Sequence, residues 1–70
     1  MMLFVTAIEV GQRFRHLPSG VVGVVDYVGG GNKHAHVAWP EIVEIGWWLR
    51  PSDVRAYIAR GMLIRVEMPS

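Results

Sequence analysis

Seventy residues, 51% of them hydrophobic, leave room for one small domain and none for a two-domain enzyme with a cleft between its halves. The formal net charge of +1, seven Lys plus Arg against six Asp plus Glu, is too near zero for a dedicated duplex binder, so only a local basic patch would serve nucleic acid. No cysteine is present, which removes a disulfide framework, a zinc knuckle and a thiol nucleophile, and makes the cytoplasm the default compartment.

The chain opens on MMLFVTAIEV, apolar but without a basic start, and it reaches Glu9 long before the roughly 20 apolar residues of a membrane span. It reads as an N-terminal strand over residues 3–10 rather than a signal peptide or membrane helix. Apolar residues on both of its faces need cover on both sides, and a homodimer through residues 1–10 is the simplest cover. A chain of this length buries only roughly 60% of the surface its unfolded form exposes, which also favours a partner.

QRFRHL follows as a strand with Phe14 on one face and Arg13 and Arg15 on the other, closed by a turn at Pro18 to Gly20. GVVGVVDYV and KHAHVAW read as an antiparallel hairpin joined by a tight loop, Gly29 to Asn32. Period-two alternation sends Ala35, Val37 and Trp39 inward and leaves His34, His36 and Ala38 on a wetter face. In VEIGWWL the same rule pairs Ile45, Trp47 and Leu49 against Glu44, Gly46 and Trp48, so one tryptophan of the pair faces outward or a neighbour. PSDVRAYIARG changes period: Ser52 is a candidate N-cap, Asp53 suits the first turn, Val54, Tyr57 and Ile58 share a helical face, and Gly61 ends it. MLIRVE returns to alternation, with Met62, Ile64 and Val66 expected inward and Leu63, Arg65 and Glu67 outward.

That order predicts a single mainly β domain over 1–70: a five-stranded barrel with one short helix before the last strand. The pattern Gly20, Gly23, Val25, Val28 following GQRFRHLPS resembles the KOW and Tudor type of SH3-like barrel over residues 11–54, with Trp39, Pro40 and Glu41 in the turn that carries an acidic residue in those families. The resemblance implies an SH3-like fold and a binding role. The usual Asp-Gly is missing from that turn, and the helix is longer than a single 3₁₀ turn. In size and in the stretch GQRFR the chain also resembles the plasmid-borne tetrameric dihydrofolate reductases. Their catalytic Val-Gln-Ile-Tyr has no counterpart, because Ile45, Gly46, Trp47 and Trp48 stand at the matching strand.

Candidate chemistry is sparse. His34 and His36, two apart on a strand, are able to reach one ion, and His16 with Asp26 would complete a tetrahedral set, but two local ligands are few for a metal site and no metal is expected. The aromatics Tyr27, Trp39, Trp47, Trp48 and Tyr57 could cage a methylated lysine, as in Tudor-type relatives, though a small barrel needs most of its aromatics as filling. The glycine loop lacks the Lys-Ser/Thr ending of a phosphate cradle, and Ser19, Ser52 and Ser70 are explained by a turn, a cap and a terminus, so no cofactor and no enzyme activity are expected. What remains is a surface of Arg13, Arg15, Lys33, His34 and His36 with an outward Trp48 or Tyr27 for stacking. It would suit single-stranded nucleic acid or a nucleoprotein, with docking of another protein as the alternative.

Overall fold

The structure, a computed structural model, describes residues 8–66. The expected strand over 3–10 falls largely outside them, and so does most of the segment on which the homodimer rests. Within the described chain Ile8 is buried, and a turn begins at Val10.

Five strands and one helix follow: β1 Arg13–His16, β2 Val21–Val28, β3 Ala35–Ala38, β4 Trp48–Leu49, α1 Pro51–Ala59 and β5 Leu63–Val66. A short 3₁₀ turn at Gly30–Asn32 joins β2 to β3. Every strand pairing is antiparallel, in the order β4-β3-β2-β1-β5. The protein is therefore mainly β, one open five-stranded sheet with a short helix between its two edge strands in chain order.

Alternation decides the core. Residues opposite one another across a ladder share a face, so Phe14 on β1, Val25 on β2, Ala35 and Val37 on β3, Leu49 on β4 and Leu63 on β5 all point inward, joined by Trp39, Val43 and Val54. His16 lies among them, 3% exposed; its Nδ1 is 2.8 Å from Ser19 Oγ, which also accepts from the Val21 N–H and so ties the turn between β1 and β2.

Trp39 organises the next connection. Its ring lies against Gly23, and its Nε1 donates to the Gly46 carbonyl at 3.0 Å, pulling the 40–46 loop onto the core. Gly46 has φ of 85°, a left-handed conformation that costs a side-chain-bearing residue about 1 kcal/mol or more. This kink breaks the expected VEIGWWL strand. β4 is only two residues long, and Trp47 is 43% exposed instead of packed beside Leu49.

Two further expectations are corrected by helix-end chemistry. Arg50, not Ser52, is the N-cap: Pro51 takes the first helical position, where its fixed φ and missing N–H cost nothing. Asp53 accepts from the Arg50 backbone N–H at 3.0 Å and from its guanidinium at 3.2 Å and 3.4 Å. At the other end Gly61 N–H donates to Ile58 O and Met62 N–H to Tyr57 O, the paired bonds of a Schellman motif. Since Met62 is tied to the helix, Leu63 is the first residue to turn into the core. Leu63 is fully buried while Ile64 is 41% exposed, so β5 has the phase opposite to the one its composition favours.

Candidate functional site

The outer face of the sheet can be read from the ladders row by row. One row runs Val66, Arg13, Val24, Ala38; a second runs Ile64, Arg15, Val22; a third runs Tyr27, His36, Trp48. The third row holds the densest chemistry, and a defect in β2 creates it. Register shifts between Val25 and Tyr27, so Asp26 and Tyr27 together oppose the single residue His36. Such a bulge breaks strict alternation and presents two consecutive side chains to one neighbour. Asp26 Oδ1 thereby lies 2.7 Å from His36 Nδ1, while the Tyr27 ring reaches Trp48 edge-to-face at 6.0 Å.

On the other side of β3 the kink at Gly46 brings both tryptophans to the same imidazole. The Trp47 carbonyl remains beside β3, accepting from Val37 N–H at 2.7 Å, and its ring sits 5.5 Å from that of His36. Trp48 approaches His36 to 4.8 Å and His34 to 5.4 Å. His36 is accordingly only 20% exposed at its side chain, so the face expected to be wet is aromatic here. Trp48 itself is 57% exposed, the outermost ring of the cluster. His34 leans over Gly29, where a Cβ would stand 3.0 Å from its Nε2.

A carboxylate only accepts, so the 2.7 Å contact assigns the Nδ1 proton to His36 and leaves Nε2 as the ring's open position. Nε2 has no hydrogen-bond partner among the described residues and is not sealed from solvent. Among the described residues of these five strands Asp26 is the one carboxylate, and it is engaged with His36.

Of the six residues singled out from sequence, His34, His36 and Trp48 come together at this corner, with exposed Lys33 at its chain-wise edge. Arg13 and Arg15 do not join them on a neighbouring strand. They stand on β1, with β2 between, about 10 Å across the sheet from β3 at the usual strand spacing. Neither guanidinium has a side-chain partner among the described residues. The four-ligand metal set is not assembled: His16 faces the core, Asp26 is bonded to His36, and among the described residues no three His, Asp or Glu side chains converge. Nor do the aromatics form an open cage, since Trp39 is in the core and His36 fills the space between Trp47 and Trp48.

Sequence reasoning missed Trp47 as a surface residue and Asp26 as a partner of His36. The signals were present: a glycine immediately before the tryptophan pair, and an acid within the otherwise β-branched run VVGVVDYV. A cleft of about 440 Å³ between Gly11–Arg13 and Arg65–Val66 lies away from the corner, bordered by the ends of the described chain. Among the described residues no helix is long and apolar enough to cross a membrane. No protein-family model, curated protein or solved structure matches the chain.

Proposed function

We propose that the chain is a non-catalytic binding module of the SH3-like barrel class whose outer sheet face holds single-stranded nucleic acid, in the cytoplasm. One observation carries the reading: Trp48 is 57% exposed on a sheet face that gathers Tyr27, His34 and His36 around it and bears Arg13 and Arg15, neither with a side-chain partner among the described residues. Every base has a π-face, so an exposed indole stacks with any of them, and the arginines on β1, further across the same sheet face, meet the sugar-phosphate backbone. The barrel reading is supported by β1, which is paired on one side to β2 and on the other to β5, and by core residues drawn from all five strands.

Docking of another protein is the second reading. It is favoured by Val24 at 38% and Ile64 at 41% exposure, apolar residues in the same rows as the arginines. Salt separates the two. For nucleic acid, log Kd should rise with log salt by about 0.7 per phosphate neutralised, and Arg13→Ala with Arg15→Ala should flatten that slope. A salt-insensitive affinity for the oligonucleotide, or none, would leave the protein-docking reading in its place.

A further inference from the structure

We propose that His36 Nε2 is a phosphate contact of this face and that the imidazole takes up a proton when the nucleic acid binds. The inference rests on the nucleic-acid reading and adds the chemical group recognised and its regulation.

Asp26 fixes the arrangement. With Nδ1–H donating to Asp26 Oδ1 at 2.7 Å, the neutral ring presents a lone pair at Nε2, and a lone pair repels a phosphate oxygen. A second proton can add only at Nε2. It converts that atom from acceptor to donor and at the same time cancels the charge of Asp26, the carboxylate that would otherwise oppose an anion at the corner. Before protonation the Asp26–His36 unit carries one negative charge; afterwards it is neutral and offers an N–H.

The ring has little freedom to evade this choice. Trp47 and Trp48 flank it at 5.5 Å and 4.8 Å, and Asp26 sets its rotation, so Nε2 is held rather than swept through solvent. The groups around His36 are Asp26 and Tyr27 from β2, the two indoles from the β4 side, and His34 just before β3, which shares Trp48. His34, the other imidazole against Trp48, is the competing source of a proton effect.

The test is the affinity of labelled oligothymidylate at constant ionic strength from about pH 5.5 to about pH 8, where neither thymine nor a phosphodiester titrates. Binding should tighten as pH falls, by up to about tenfold per pH unit where one proton is taken up. His36→Gln should bind with little pH dependence, whereas His34→Gln should keep it. Linkage is reciprocal, so in the unaltered protein the His36 ring signal observed by NMR should titrate at a higher pH with the oligonucleotide than without it. Tight but pH-independent binding, looser binding on acidification, or an unmoved His36 titration would overturn the proton-linked contact while leaving the nucleic-acid reading standing. Absence of binding at every pH would overturn both.

Discussion

Gly23 is bare because Trp39 lies on it: a Cβ at Gly23 would stand 2.5 Å from Trp39 Cε3 and 2.7 Å from Cδ2. The indole cannot simply move away, since it is buried and its Nε1 holds the Gly46 carbonyl at 3.0 Å. Gly23→Ala and Gly23→Val should therefore lower stability by about 1–3 kcal/mol, as overpacking of a core does, read from a denaturant midpoint. Because Gly46 precedes both surface tryptophans, the same variants should also alter the emission of Trp47 and Trp48. An unchanged midpoint would mean that Trp39 repacks freely.

The phase of β5 is tested by two truncations next to each other. Leu63→Ala should cost about 2–5 kcal/mol, the range for a buried leucine, while Ile64→Ala on the outer face should cost under about 1 kcal/mol. Equal costs would contradict the register that places Leu63 opposite His16.

At the helix start, the Arg50 backbone N–H, with help from its guanidinium, holds the Asp53 carboxyl below the usual carboxylate range. A depressed folded value contributes stability above the unfolded value, and that contribution is lost as pH falls through the folded one. Asp53→Asn should thus destabilise at neutral pH, and the difference should fade as pH falls through the carboxyl's depressed folded value. Solvent screens this largely exposed pair, so the effect at neutral pH should be about 0.5–1 kcal/mol. A deficit that persists unchanged in strong acid would show that the carboxylate charge is not its source.

Trp48→Ala and Tyr27→Ala should leave the thermal midpoint nearly unaltered, because both side chains are more than half exposed. Asp26→Asn should likewise fold, and should weaken the pH dependence of binding by releasing the His36 tautomer. A large loss of stability in any of the three would mark the corner as structural.

Much of the fold was legible because local rules and packing agreed. Phe14, Val37 and Leu49 sit on alternating runs and face the core as alternation requires. Leu63 faces the core in the phase opposite to the expected one, because the Schellman bonds at Gly61 and Met62 set where β5 begins, and a run of six residues carries no mark of that offset. The site was half legible. Trp48, His34 and His36 were identifiable as outward residues of strands, but their company depends on one bulge at Asp26 and one left-handed residue at Gly46. Both devices shift alternation by a single position, which moves a side chain from one face to the other. The distance of Arg13 and Arg15 from the histidines was not legible at all, since it depends on strand order.

The most direct measurement is the dissociation constant of a labelled single-stranded oligonucleotide for the unaltered protein and for Trp48→Ala, at low salt and slightly acid pH. Loss of one base-stacking platform should weaken binding by about 1–3 kcal/mol, roughly fivefold to more than a hundredfold, with the fold retained. Equal affinity of the two proteins would contradict the assignment of the Tyr27–His36–Trp48 row as the nucleic-acid face.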